Sequence, residues 1–305
     1  MIKMNSQDLT LLSEGQIWGN SNESQLEVIR KYGTKAAITD LCGLTGSYLY
    51  EDRFSWFWTR SDNGSNNVCA VHVYGDRLTA YGSARNGVVR PALQSSVIFS
   101  QISPNRVRGD NGTEEVEYGE YPQNAADSRM QNILESEYNR GMNKTGRSYT
   151  FDSIKYDDYD TGFKPVTYEE YEYGGKKYIR IKANSYFDGD RFKLSNGVEY
   201  IDGDYVWVEV SPVKWLIDDR TGILISKKGL VSGIRFLDKR TNYKGDFDRT
   251  EMKEYLDKYM VKDLFQSVDF EYLQDMEYSI DKSENIKKTN PYNLSFNKVS
   301  EEDII

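Results

Sequence analysis

Imidazole and thiol side chains are few in this 305-residue chain: one histidine, His72, and two cysteines, Cys42 and Cys69. A lone histidine cannot supply the paired imidazoles of an H-E-x-x-H metal site. A Ser-His-Asp arrangement would have to take His72 as its only base, and no G-x-S-x-G elbow is present to seat the nucleophile. Carboxylates are abundant, 48 Asp and Glu in all, but nothing in their spacing singles out the pair that glycoside chemistry needs. No G-x-x-x-x-G-K-[ST] loop occurs, so no ATPase activity is assigned. Acidic turns raise calcium: "DGD" stands at 188–190 and again at 202–204, and "YDDYDTG" at 156–162. The EF-hand template fails at each, because no D-x-D-x-D-G start is followed by Glu at the twelfth position. The two D-G-D turns flanking "RFKLSNGVEYI" read instead as hairpin ends. The expectation is therefore no catalytic residue, no metal ligand and no cofactor, with opportunistic calcium the one exception.

Recognition chemistry is easier to place. Residues 60–86, "RSDNGSNNVCAVHVYGDRLTAYGSARN", are dominated by Ser, Asn, Asp, Gly, Tyr and Arg, the composition of adaptable recognition surfaces. Strand alternation sends Val71 and Val73 to one face and Ala70, His72 and Tyr74 to the other. With the valines inward, His72 and Tyr74 meet solvent beside Arg77, Thr79 and Tyr81 of the next strand. The candidate ligand-binding residues are Arg60, Asp62, Asn63, Asn66, His72, Tyr74, Asp76, Arg77 and Tyr81. A competing reading takes the same stretch as ordinary polar surface. The stretch closes on "ARNGVVRPAL", where Asn86-Gly87 signals a type I′ hairpin turn. Arg90 is expected to anchor the closing strand by donating to backbone carbonyls or a carboxylate, and Pro91 to mark a strand edge or end. Trp56, Trp58, Arg90 and Pro91 are scaffold in this reading.

The elements that must position these residues fall into three zones. Residues 1–105 begin helically: "ESQLEVIRKYG" closes on Gly33 and "TKAAITDLCG" on Gly43. They then turn to strands in "FSWFWTRS", "NVCAVHVYG", "RLTAYG" and "GVVRPAL". Residues 106–270 form a second α+β region, opening on a charged linker and a polar helix at 124–141 around Met130, Ile133 and Leu134. There the acidic, tyrosine-rich stretch 145–175 reads as loops or an irregular hairpin. Strand signals return in "KKYIRIKANSYF" and "DYVWVEVSPVKWLI", the latter joined to "GILISKKGL" by the loop "DDRTG". An amphipathic helix follows, with Thr250 as its N-cap. Residues 271–305 are a polar tail, in which Ser300–Asp303 resembles a capping box with no helix behind it, as at the lead-in to a further domain.

Bulk composition supports a core and narrows the partners. With 24 Tyr, 12 Phe and 5 Trp the chain has large groups to bury, although its mean hydropathy is −0.71. A net charge of −9 opposes nucleic-acid binding, which needs a basic footprint. No 18-residue apolar run and no signal-peptide core are visible, so no membrane partner and a reducing, cytoplasmic location are expected.

The order Trp-x-x-Arg-Ser, polar segment, Gly-Val-x-Arg-Pro-Ala-Leu resembles uncharacterised bacterial domains of the C-type-lectin fold, in its formylglycine-generating-enzyme-like branch. Trp56, Trp58, Arg60, Ser61, Gly87, Val88, Arg90, Pro91, Ala92 and Leu93 carry the likeness. "EYGEYPQ" (117–123), "PVKWLIDDRTGILISKKGL" (212–230) and "MKEYLDKYMVKDLF" (252–265) resemble the opening strand, central hairpin and capping helix of the same domain type, in reversed chain order. The chain is thus either a permuted single domain or two divergent copies, and two subdomains sharing a sheet core are expected. The resemblance implies a C-type-lectin-like α+β fold of short antiparallel strands with a few flanking helices. It also implies that residues 60–85 correspond to the segment that diversity-generating retroelements rewrite in some members. A protein ligand is expected rather than a sugar, since the Glu-Pro-Asn and Gln-Pro-Asp sugar triplets are absent. The same resemblance raises an enzyme related to formylglycine-generating enzymes, whose copper or thiol chemistry needs a close cysteine pair. Here Cys42 and Cys69 read as buried or incidental thiols. Finally, "NKVSEEDII" is similar to the lead-in of MoxR-type AAA ATPases, which makes a fused or associated ATPase a further possible partner.

Overall fold

The computed structural model describes residues 9–51, 54–64, 67–94, 106–109, 112–155, 158, 160–184, 192–237 and 243–266. The chain opens with β1 (Leu9–Thr10) and the short helices α1 (Glu14–Trp18), α2 (Glu27–Tyr32) and α3 (Asp40–Leu44). A meander follows in β2 (Phe57–Asp62), β3 (Asn67–Val71) and β4 (Arg77–Tyr81), then β5 (Ala92–Leu93), β6 (Val107–Arg108) and β7 (Glu114–Ala125). Helix α4 (Ser128–Asn139) leads to β8 (Lys144–Asp152), β9 (Pro165–Tyr173) and β10 (Lys176–Lys182). The small hairpin β11 (Phe192–Lys193) and β12 (Glu199–Tyr200) precedes the long β13 (Tyr205–Asp218) and β14 (Ile223–Ser226). The last element, α5, runs Glu251–Tyr255, a π-helical turn Leu256–Met260, and Val261–Leu264. This is an α+β architecture with mostly antiparallel strands, and none of its helices is long and apolar enough to cross a membrane.

β13 is the spine of the large sheet, and its sequence explains how the sheet forks. β7 pairs along one edge, from Val208↔Ala125 to Leu216↔Glu115. Val208 and Val210 also pair with β10, whereas Trp215 and Leu216 also pair with β14. Since a strand has two edges, β10 and β14 must share the edge opposite β7, one beside each half of β13. Pro212 sits between them, where a missing N–H costs no ladder bond to either strand. The register shift at Pro212/Lys214 inserts a bulge that also resets side-chain parity. Val206, Val208 and Val210 face the main core before it, and Val213, Trp215 and Ile217 face the same core after it. The opposite face is covered in two patches. Leu134 of α4 packs with Tyr171, Tyr178 and Trp207, while Val28 and Ile29 of α2 pack with Leu216, Ile223 and Ile225.

Several locally encoded elements lie where the sequence predicts them. "DDRTG" makes the β13–β14 turn, Asp218 Oδ1 accepting from Thr221 N at 3.1 Å and Gly222 holding φ +72°. Thr250 caps α5 by accepting from Lys253 N at 3.0 Å, whereas the helix expected at 124–141 starts only at Ser128, capped by Asp127, because β7 runs through Ala125. Residues 145–175, expected as loops or an irregular hairpin, carry most of β8 and β9, which pair antiparallel from Ser148↔Glu169 to Asp152↔Pro165 beyond a register shift between Lys144 and Ser148. Burial favours strands over loops here: Glu170 is fully buried and accepts from Tyr149 Oη and Thr145 Oγ1, each at 2.7 Å. The expected helix "TKAAITDLCG" is helical only over Asp40–Leu44, because Ala37 and Ile38 form bridges to Phe54 and Gly229. The tail beyond Gln266, the first D-G-D turn and Asn66 lie outside the described residues.

The segment 87–93 is a seam between sheets rather than the second strand of a hairpin. Val88 bridges Phe57 of β2, Val89 bridges Val231, and Ala92–Leu93 lies between β1 and β14. Asn86-Gly87 is therefore not a type I′ turn, and Gly87 does not have positive φ. Glycine is required there by contact: a Cβ would overlap the Trp56 ring and crowd Trp58 Nε1. Trp56 and Trp58 are buried edge to face at 4.7 Å between centroids. The main core draws on residues from both sides of position 106, including Trp58 and Val68 as well as Trp215 and Tyr255.

Candidate functional site

The meander β2–β3–β4 organises the predicted binding residues. Its centre, β3, is buried on both faces. Val68 and Ala70 face the main core with Trp58 and Ala80, and Val71 faces the second cluster with Phe57, Leu12 and Ile17. The expected outward position of Ala70 is thus wrong: its face meets the main core, and the opposite face, that of Val71, is covered by a second layer made of the N-terminal segment and α1. Cys69 is buried by the same layer. The strand ends at Val71. His72, Val73 and Tyr74 belong to a turn in which His72 N donates to Asp76 O at 2.8 Å and Gly75 N to His72 O at 2.8 Å. Val73 is buried, His72 half-buried and Tyr74 54% exposed.

Alternation does hold on the outer strand. Register pairs Cys69 with Thr79 and Asn67 with Tyr81, so Arg77, Thr79 and Tyr81 point outward while Leu78 and Ala80 turn in. At one end Asp62 Oδ1 accepts from Gly64 N at 2.8 Å, which shapes the β2–β3 turn, and Gly64 takes φ +76°. Asn63 Nδ2 donates to Thr79 Oγ1 across the meander, and Tyr81 stands beside them at 75% exposure. At the other end Arg77 pairs with Glu14 at 2.8 Å and lies over the Trp18 ring. Tyr74 Oη donates to Tyr50 Oη at 3.1 Å, with Lys35 Nζ 5.8 Å from its ring centroid. The structure therefore gathers Asp62, Asn63 and Tyr81 into one group, and His72, Tyr74, Asp76 and Arg77 into another. The two ends of β4 are separated by about 14 Å at the usual strand rise. Arg60 stands apart, half-buried, where its Nη1 donates to Leu11 O at 3.0 Å and braces the N-terminal segment.

The scaffold residues show one expected anchor and one that the sequence conceals. Arg90 Nε donates to Ser226 O at 3.0 Å, and its guanidinium lies over the Phe57 ring at 5.3 Å. Both terminal nitrogens are buried without a hydrogen-bond partner, and desolvation pulls its pKa down to about 10, which leaves it charged at neutral pH. Pro91 precedes β5, and its carbonyl accepts from Ser226 N at 3.0 Å. Arg85, placed by the sequence within the polar stretch, is fully buried and paired with Asp152, 67 positions away. It also donates through Nε to Asp158 O at 3.0 Å. No local signal marks that partnership.

Reactive chemistry is sparse. Burial pushes the Cys42 thiol up to about 12 and the Cys69 thiol up to about 11, so both stay protonated and poorly nucleophilic. Among the described residues no group of three or more His, Cys, Asp or Glu side chains converges as a metal site would require. In the second D-G-D turn, Asp204 Oδ2 accepts from Ile201 N at 3.0 Å and Asp202 pairs with Lys155. No protein-family model matches the chain, and neither the curated proteins nor the solved structures contain a match to it.

Proposed function

We propose that the chain is a non-enzymatic ligand-binding module on a C-type-lectin-like scaffold of the formylglycine-generating-enzyme-like branch, similar to the variable proteins of diversity-generating retroelements, with a protein as its ligand. One observation carries this reading. Asp62, Asn63, Thr79 and Tyr81 face solvent together on a meander whose central strand is buried on both faces. Such a surface changes its side chains without disturbing what holds it. Tyrosine offers a large contact area at low entropic cost, and Asn, Asp and Thr offer adaptable hydrogen bonds. The group lies on a strand and its turn rather than in a concavity, which suits a macromolecular partner over a small molecule. The "GVVRPAL" seam supports the scaffold assignment: although the chain order is reversed relative to the family, the segments likened to its opening strand, hairpin and closing strand stand side by side as β7, β13–β14 and β5.

The test is a combined Asp62→Ala, Asn63→Ala, Thr79→Ala and Tyr81→Ala variant, compared with wild type in thermal melts and in affinity capture from cell lysate. The reading expects an unchanged melt, because exposed substitutions are usually worth within about 0.5 kcal/mol each, and the loss of a specific captured protein. An identical captured set in both samples, or a collapsed melt, overturns it.

A further inference from the structure

We infer that a cleft separate from that face binds a small organic anion through Lys193 and Lys228. It has a volume of about 290 Å³ and is walled by the segment leading into α3, by the β11–β12 hairpin and by the loop after β14. Its size is near the low end for ligand sites, roughly 300 Å³, and suits a single ring or short alkyl body. Ile38, Leu49 and Leu194 give it an apolar wall.

The polar groups divide into spent and unspent. Asp40, which also lines the cleft, is committed: Oδ1 accepts from Ser195 N at 2.8 Å, and Oδ2 from Ser195 Oγ at 3.0 Å and Ala125 N at 2.8 Å. The Ser195 hydroxyl is used in that bond, and the Thr39 hydroxyl donates to Leu230 O at 2.9 Å. These bonds fix the cleft walls to one another and satisfy the Asp40 carboxylate with three donors of the protein itself. The ammonium groups of Lys193 and Lys228 carry no ion pair or hydrogen bond among the described residues. What the cleft still offers is donors and positive charge above an apolar wall. A carboxylate or a phosphate monoester on a small apolar body complements that combination, and a neutral or cationic analogue of the same shape does not.

The experiment uses the full chain and three probes of one shape: benzoate, phenyl phosphate and benzyl alcohol. Titrations followed by amide chemical shifts are expected to show saturable changes at Gly43 and Leu194 for at least one anion and none for benzyl alcohol; whichever anion binds more tightly identifies the head group. The Lys193→Gln/Lys228→Gln variant should lose affinity at least tenfold, while Lys182→Gln, an exposed charge elsewhere, should not. No saturable shifts with either anion in the wild-type chain would overturn the assignment without any variant. So would equal binding of benzyl alcohol, or undiminished binding in a double variant whose melt matches wild type. None of these outcomes bears on the face at Asp62–Tyr81, because the two sites share no residue.

Discussion

The loop around Arg85 and the seam around Arg90 bury two guanidinium groups in opposite ways. Arg85 joins three distant segments: Asp152 at the end of β8, the Asp158–Thr161 loop and Gly233. Its partner Asp152 is tied further by Ile154 N and Lys164 N, each at 3.1 Å from Oδ1. Arg90 makes one hydrogen bond and rests on a ring, with its terminal nitrogens unpartnered. Yet Arg90 stands in the conspicuous motif, and Arg85 in a stretch that reads as surface. The difference teaches that prominence in sequence does not measure energetic weight. A buried charge matters most where its removal strands another charge.

That contrast can be broken most sharply at Arg85. Arg85→Ala leaves Asp152 buried without its cation and should cost about 3–5 kcal/mol, read as a lowered denaturant midpoint. The double change Arg85→Met/Asp152→Leu should recover a large part of that loss; if it is no more stable than Arg85→Ala, the pair is not what the loop depends on. Next is the pH dependence of a buried carboxyl. Burial raises the Asp263 carboxyl to about 8, above its value of about 4 in the unfolded chain. The unfolded state therefore binds fewer protons between those values, so stability should fall as pH rises from about 4 to 8 and then level off. Asp263→Asn, which can still accept from Thr150 N, should flatten that slope in urea melts run across the range. At the seam, Gly87→Ala should cost about 1–3 kcal/mol by forcing a methyl group into Trp56. Arg90→Met should cost less than either, about 1 kcal/mol, since it forfeits one hydrogen bond while removing two unsatisfied donors. A loss matching that of Arg85→Ala would erase the distinction. Smallest of all is Tyr81→Ala, expected within about 0.5 kcal/mol of wild type by thermal melt.

How the outer edge of the large sheet is finished shows why some of this was legible and some was not. Thr250 announces α5 by its own side chain, and the tyrosine and methionine spacing gives its buried face. Nothing local says that the helix ends over β8, where Asp263 accepts from Thr150 N at 2.7 Å and Tyr255 Oη donates to Thr150 O at 3.2 Å. The edge strand is protected by side chains more than a hundred positions away. In the candidate binding face, alternation placed Arg77, Thr79 and Tyr81 correctly because β4 has one buried side. It failed on β3, which has two. Lys193 and Lys228 come from separate elements and carry no shared pattern, so the cleft had no trace in the sequence.

What the sequence determined by itself is the set of features closed within a few residues: the cap at Thr250 and the Asp218–Gly222 turn. Each is a contest between neighbouring backbone groups, and neighbours are visible in a string. Tertiary structure alone decided which cation is paired, which strand is covered twice and where two lysines meet an apolar wall. Those outcomes depend on desolvation, which is set by whatever layer arrives from elsewhere in the chain.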